Sequence, residues 1–516
     1  MTAHGSPVGK AIGEGSFGRI YATDKRYAVK IIPRGSLFRS SAELHTTDLN
    51  GLVYPLTLRH PAIVRCYNAY IGDKDISSVM DLYKNNIFCS SIFENPPVFR
   101  RLCSQMVSAV AYLTARGILH GDIKPQNILY RRAEDRTYTF ALADFDLTQN
   151  QLCRSNQVEG YNLYTVNYRP PELLVPIGYV NQQADVWALG AALASAYHQD
   201  TFFQGQDEND VRAIIPKFIP IKATGLGRSW SVFLGKDLSG SLPESKLALN
   251  PRVDSFLRRM LQLDPKDRVD IFELQHDDFL SIPDKIPANT CLDRVEYFDR
   301  RIDWSPLAHD KLSCADKWDI LTTWMLEVGR EIDYGATTSI MAIELLARYC
   351  LTKSRPEFGK VQLLACATMY LAGLFGGYDM FSSEMAAFSD NAYTSAQVVE
   401  MAIDVLGTLN YDLCAKTGYD DIYRYRNTFG CSSIDTAVSL LQLAYTQLDL
   451  FSNPNTPRIA LYISVLAADE NEDVWADPIP DGVEEWKTLM ITYFKDHQGP
   501  FRQDILDLGS DVIQGL

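Results

Sequence analysis

The run HGDIKPQN, residues 120–127, restricts the chain more than any other feature. It sets Asp122, Lys124 and Asn127 within six residues, just after an apolar-periodic stretch, VFRRLCSQMVSAVAYLTARG, that ends on Gly117. Downstream, LADFD supplies Asp144. Upstream, GEGSFG at 13–18 places Gly13, Gly15 and Gly18 where backbone N–H groups can approach phosphate oxygens, with Glu14 and Ser16 between them. AVK at 28–30 then puts Lys30 on the next strand. A glycine turn alone is weak evidence, but a close set of carboxylate, amide and ammonium groups behind it is what holding a cation and a polyphosphate requires.

The rest of the chain fits a multidomain protein. With 516 residues, 46% hydrophobic and 22% charged, two to four domains are expected. An excess of 64 acidic over 49 basic residues, net charge −15, argues against non-specific nucleic-acid or anionic-membrane binding. Ten scattered cysteines without a C-x-x-C pair suit a reduced, intracellular protein, in cytoplasm or nucleus, and the N-terminus has no apolar signal segment. Residues 10–90 read as short β-rich runs, with RIYAT and RYAVKII flanking a turn. From 316 onward nearly everything reads helical, with breaks near 353–359, 376–384, 426–434 and 452–457. The apolar run 361–378 resembles a membrane span, but Gln362, Thr368 and three glycines favour a helix buried in a bundle.

Further motifs follow in one order: YRPPE at 168–172, ADVWALG at 184–190 and DPKDR at 264–268. Together with those above they resemble the protein kinases, and Y-R-x-P-E and D-x-K-P-Q-N resemble the cyclin-dependent kinases in particular. The resemblance covers residues 8–285 and implies a bilobal kinase fold, a small lobe to about 83 and a large lobe from 84, using ATP and Mg²⁺. It implies that Asp122 orients the substrate hydroxyl, Lys124 neutralises the transferred phosphoryl group, and Thr165 belongs to the catalytic set. Lys30 pairs with phosphates, and Asn127 and Asp144 take the metal. Ile20, Ala28 and Leu129 join the nucleotide site, Met80 falls at the gatekeeper position, and Asp81 to Tyr83 form the adenine hinge. Glu172 and Arg268 read as a buried structural ion pair, and His120 as a hydrogen-bonding strut.

Two control points of that family are altered. The arginine before the catalytic aspartate is Gly121, its partners fall on Gln149 and Asn50, and the phosphorylated threonine falls on Gly160. Arginines are there to pair with the phosphate, so their joint absence implies that no activating phosphorylation is needed here. Glu159 offers a fixed negative charge, and Phe17 removes the glycine-loop tyrosine while Ser16 stays modifiable. The acid that normally pairs with Lys30 lies nine residues before the His60-Pro61 dipeptide, which is Gly51. Asn50-Gly51 and Pro55 are expected to break a helix there, leaving Asp48, or else Glu43, as the acid. Asp146 replaces the glycine of the D-F-G motif; it restricts that motif's backbone or adds a carboxylate near the metal.

The C-terminal half resembles a cyclin. DKWDILTTWMLEVGREIDYGATTSIMAIELLARYC matches the first helices of a cyclin box, GKVQLLACATMYLAGLFGGYD its third and YTSAQVVEMAIDVLGTLNYDL its fifth. The implied layout is multidomain α+β: kinase 1–285, linker 286–315, then all-α tandem cyclin folds, a cyclin box at 316–430 and a divergent second fold at 431–516. Trp318 and Thr323 stand where that family has an arginine and an aspartate, and Gly376-Gly377 replace its glutamate; Lys360 remains. The resemblance implies a monomeric Ser/Thr kinase held active by its own cyclin domain through an intramolecular contact, with Ser/Thr-Pro protein substrates. The competing reading is a pseudokinase–cyclin scaffold, favoured by the missing helix acid and by Asp146. Such a fusion is unusual for cellular cyclin-dependent kinases and suits a large DNA virus or a divergent protist.

Overall fold

The computed structural model describes residues 11–14, 18–23, 26–33, 44, 46–71, 75–88, 90–132, 136–150, 163–175, 180–221, 226–233, 247, 250–280, 304, 318–353, 358–378, 380–413, 417–423, 431–467, 480–484 and 486–489. Gly15, Ser16, Phe17, Glu43, Glu159, Gly160 and all of the 286–315 linker except Trp304 lie outside the described residues, as do the side chains of Glu14 and Asp48. The chain divides into two compact units, 1–294 and 295–516.

The first unit opens with a five-stranded antiparallel sheet in the order β1-β2-β3-β5-β4. Its strands are β1 Ala11–Glu14, β2 Arg19–Ala22, β3 Tyr27–Pro33, β4 Cys66–Ile71 and β5 Asp75–Asp81. Lys30 sits in the central strand β3, opposite Ile20 on one side and Ser78 on the other. Between β3 and β4 runs helix α1, Thr46–Thr57.

Helix α1 corrects the expectation of a break: it passes through Asn50-Gly51 and contains Pro55. A glycine and a proline inside a helix cost about 1 and 3 kcal/mol. Against that, Leu49, Leu52, Val53, Tyr54 and Leu56 are buried. Burial of each such side chain is worth roughly 1.5–3 kcal/mol, so packing outweighs propensity.

The rest of this unit is mainly helical. Helix α2, Pro96–Thr114, buries Phe99, Leu102, Met106 and Val110. Short strands lie on either side of it in the chain: β6 Asn85–Asn86, β8 Ile128–Arg132 and β9 Tyr138–Leu142 form one sheet, and β7 Ile118–Leu119 pairs with β10 Gln149–Asn150. Helix α3, Gln183–His198, is buried over Ala184–Ala196, and α4 Glu208–Ile214, α5 Leu226–Phe233, α6 Pro251–Met260 and α7 Ile271–Leu274 come after it. The pair Glu172–Arg268 lies inside, joined at 2.8 and 2.5 Å.

His60, just after α1, is a pH-sensitive part of this packing. Its Nδ1 accepts from the Ala62 N–H at 3.1 Å and its Nε2 lies 3.1 Å from Ser108 Oγ. Burial, helped by the charge of Arg116, lowers its pKa from 6.5 to about 4. The folded state therefore binds fewer protons than the unfolded chain between those values, so stability falls as pH drops through that window. We expect the native protein to lose about 2 kcal/mol more than His60→Gln between about pH 7 and pH 5, read by urea denaturation.

The second unit is helical throughout its described elements. Helices α8 Trp318–Glu331, α9 Ala336–Thr352, α11 Ser382–Phe388 and α12 Ser395–Thr408 surround α10, Val361–Gly376. Every residue of α10 except Gln362 is buried. That explains its missing polar face, and among the described residues no helix is long and apolar enough to cross a membrane. Further helices are α13 Gly418–Tyr423, α14 Cys431–Ala444, α15 Leu448–Ser452 and α16 Thr456–Ala467. Of the expected interruptions, 376–384 and 452–457 contain the breaks at 377–381 and 453–455, whereas most of 353–359 and 426–430 lies outside the described residues; the turns at 332–335, 389–394, 409–413 and 445–447 were not anticipated. Trp318 is buried, donates its indole N–H to the Tyr445 carbonyl at 3.0 Å and lies against Phe451. Trp318→Ala should destabilise this unit by about 3–5 kcal/mol, measured by its thermal transition.

Candidate active site

The catalytic-loop residues converge as their spacing suggested. Strand β7 delivers the chain to His120, and Gly121 then adopts φ +79°. A Cβ on Gly121 would stand 2.6 Å from the Leu147 carbonyl oxygen, so this backbone disfavours any side chain here, an arginine included. His120 is buried; its Nε2 meets the Ala143 carbonyl at 3.1 Å and its Nδ1 accepts the Asp122 N–H at 3.2 Å. It is a strut.

Asp122 is the hub. Its Oδ1 accepts from the Thr165 N–H at 3.0 Å and the Thr165 hydroxyl at 2.9 Å. Its Oδ2 accepts from Lys124 Nζ at 2.6 Å and from Asn127 Nδ2 at 3.1 Å. Lys124 also reaches Thr165 Oγ1 at 3.0 Å. Asn127 Nδ2 further donates to the Asp122 carbonyl at 2.9 Å. These bonds use the amide nitrogen of Asn127 and turn its oxygen to other use. An amide oxygen and the part-exposed carboxylate of Asp144 are hard donors that suit Mg²⁺, which takes few protein ligands and fills its octahedron with phosphate and water. Asp144 is held in the left-handed region at φ +67°.

One residue of this frame was not assigned from the sequence. The carboxylate of Asp185, in the ADVW motif, accepts from the His120 N–H at 2.6 Å, the Gly121 N–H at 3.2 Å and the Tyr164 hydroxyl at 2.9 Å. A buried acid at the first turn of an apolar helix was the available signal. Burial raises its pKa, and three donors oppose that.

Around the nucleotide positions, Ala28 is buried and pairs with Met80 across the sheet. Met80 and Leu129 pack against a buried cluster of Val64, Tyr83 and Ala141. Asp81 accepts from the Tyr67 hydroxyl at 2.9 Å. Gly13 lies in β1, Gly18 just before β2, and Ile20 within β2 opposite Lys30.

Lys30 has acid partners that the sequence reading did not name, while its candidates, the side chain of Asp48 and Glu43, lie outside the described residues. Lys30 Nζ meets Asp144 Oδ1 at 3.0 Å and both oxygens of Asp146 at 2.7 and 2.6 Å. Asp146, read from the sequence as restricting its motif's backbone or adding a carboxylate near the metal, is thus an ion-pair partner of Lys30. Gly51 of α1 faces it: a Cβ there would lie 2.2 Å from Asp146 Oδ1. Burial acts to lower the pKa of Lys30, but Asp146 and then Asp144 outweigh it and hold the ammonium above the ordinary lysine value. Burial pushes the Asp146 carboxyl up to about 7, with Lys30 opposing and Asp144 adding to the rise. For Asp144, Lys30 overcomes burial and leaves the carboxyl below its usual value.

Comparison with known proteins fits this geometry. The protein kinase domain family matches residues 7–280, and the cyclin N-terminal domain family matches residues 299–414. The chain is 28% identical over 298 residues to the carbon catabolite-derepressing protein kinase of Candida glabrata, covering 54% of this chain and 43% of that protein. It is 26% identical over 288 residues to CBL-interacting serine/threonine-protein kinase 14 of Arabidopsis thaliana, covering 52% and 57%. It is 28% identical over 204 residues to the CTD kinase subunit alpha of Schizosaccharomyces pombe, covering 38% and 34%. In each case the chain spans less than two thirds of the relative. The protein kinase match alone takes in more than half of the chain, so the chain belongs to the protein kinase family, with a protein kinase domain followed by a cyclin domain in one polypeptide.

Proposed function

We propose that the chain is a serine/threonine protein kinase of cyclin-dependent type, which transfers the ATP γ-phosphate to Ser/Thr-Pro sites of protein substrates. Its own cyclin domain activates it, without activation-loop phosphorylation. The observation that carries this reading is the assembled hub of Asp122, with Lys124, Thr165 and Asn127 bonded to it at 2.6–3.1 Å. In phosphoryl transfer the protein chiefly positions groups and neutralises charge. Asp122 faces the substrate hydroxyl, Lys124 the transferred phosphoryl group, and Lys30 the α/β-phosphates. Asn127 and Asp144 would hold the Mg²⁺ that screens the phosphates. Y-R-x-P-E and the presence of a cyclin domain in the same chain support the cyclin-dependent subtype.

The scaffold alternative rested on a missing helix acid and on Asp146. Both departures lose their weight as signs of inactivity, because Lys30 has a two-oxygen acid partner. Full-length protein supplied with Mg²⁺ and ATP should phosphorylate a Ser-Pro peptide well above its Ser-Ala counterpart, and Asp144→Asn should abolish both signals. Equal labelling of the two peptides refutes the proline-directed subtype. A signal that survives in Asp144→Asn refutes the site.

A further inference from the structure

Two departures from the kinase pattern, Gly51 on α1 and Asp146 after the metal-site aspartate, come together in space. Gly51 is buried, and its missing side chain leaves the volume that the Asp146 carboxylate fills. A Cβ at 51 would meet Asp146 Oδ1 at 2.2 Å and Cγ at 3.2 Å. Any side chain there displaces Asp146. The Asp146 side chain is 3% exposed and holds Lys30 with both oxygens. An unpaired ammonium at the 12% exposure of the Lys30 side chain would be costly, and no described side chain of α1 supplies the counter-charge. The helix is tied to the same loop by Asn50 Nδ2, which donates to the Thr148 carbonyl at 2.7 Å.

We propose that Asp146 is the positioning acid for Lys30, relocated from the helix to the metal-binding loop, and that Gly51 is its reciprocal half. This deepens the kinase reading above and rests on it. The relocation changes what α1 does. Where the acid is carried by the helix, moving the helix outward removes the counter-charge from the lysine. Here both partners of the ion pair lie off the helix, on β3 and on the loop after Asp144. Among its described side chains, helix α1 contributes a wall without a side chain at Gly51 and a hydrogen bond from Asn50. Lys30 thus keeps its acid whichever way α1 is biased.

The swap makes an unusual test possible. Asp146→Asn keeps the shape and removes the charge; Gly51→Glu restores the helix acid but collides with Asp146; Gly51→Glu with Asp146→Gly rebuilds the pair in the other arrangement. The full chain and these variants are compared for ATP affinity by calorimetry and for phosphate transfer to a Ser-Pro peptide, with thermal unfolding alongside. Asp146→Asn should lose about tenfold in ATP affinity and about 100-fold in kcat/KM while still folding, with a lowered melting temperature because Asp144, 3.0 Å from Lys30, is then its remaining described counter-charge. Gly51→Glu should fall at least as far, and the double variant should recover most of both losses. A merely structural Asp146 predicts no recovery by the double variant. An Asp146→Asn protein with native affinity and rate overturns the proposal. So does a folded double variant no better than Gly51→Glu alone. A native protein that binds ATP yet transfers no phosphate refutes the kinase reading, and the affinity pattern then decides the pairing by itself. A native protein that does not bind ATP refutes both.

Discussion

Asp122→Asn should lower phosphate transfer by about three orders of magnitude while leaving the fold intact. In the native protein the two Asp122 oxygens accept four hydrogen bonds, two from Thr165 and one each from Lys124 and Asn127. An asparagine keeps the volume. It replaces one acceptor oxygen with a donor, so either Thr165 or the Lys124–Asn127 side loses its partner, and the group no longer accepts a proton from a substrate hydroxyl. The check is steady-state transfer to a peptide with the melting temperature measured in parallel. A variant within tenfold of the native rate removes Asp122 from its proposed role.

The second large effect concerns stability. Glu172→Ala should cost the kinase unit about 3–5 kcal/mol. Arg268 has no exposed side-chain surface. Beyond its two bonds to Glu172 it donates to the carbonyls of Gln183, Leu263 and Gln262, and it lies 5.3 Å from the Trp187 ring centroid. Without Glu172 the carbonyls remain but the charge is buried without a counter-ion. Breaking such a pair costs far more than the pair contributes over an apolar replacement. Glu172→Leu combined with Arg268→Met should therefore recover part of the loss. Urea denaturation of the three proteins decides it, and a Glu172→Ala protein as stable as the native one contradicts the account.

Much of the active site was legible in the sequence because its residues lie in short segments with fixed local geometry. Asp122, Lys124 and Asn127 sit within one loop, and their mutual bonds follow from that spacing. The apolar helix Val361–Gly376 was legible for a similar reason, since a missing polar face reports burial directly. The partner of Lys30 was not legible. Counting along the chain looked for an acid on the helix, whereas the acid belongs to a segment that approaches Gly51 only in the folded molecule. Gly51 taken alone looked like a helix breaker and Asp146 alone like a backbone restraint or a carboxylate for the metal. Only the approach of the two shows that one makes room for the other. Helix α1 was misjudged because local propensity at Asn50-Gly51 and Pro55 is outweighed by the packing of Leu52, Val53 and Tyr54, which no local count includes. Asp185 escaped assignment because its partners, His120, Gly121 and Tyr164, come from two other segments.

The lost arginine cluster gains a second meaning from the fold. Asn50, at one of its expected positions, binds the Thr148 carbonyl, and Gln149, at another, pairs with Leu119 in a two-stranded ladder. A side-chain bond from Asn50 and a two-stranded backbone ladder thus tie α1, the catalytic loop and the metal-binding loop together at two of the expected arginine positions.

That self-sufficiency is the central claim, and one measurement tests it most directly. The full-length chain is made in bacteria, treated with a broad-specificity phosphatase, freed of it, and assayed for phosphate transfer from ATP with no added cyclin. The account predicts transfer at the same rate as the untreated protein. Activity that appears only after an external cyclin or an activating kinase is added would contradict it.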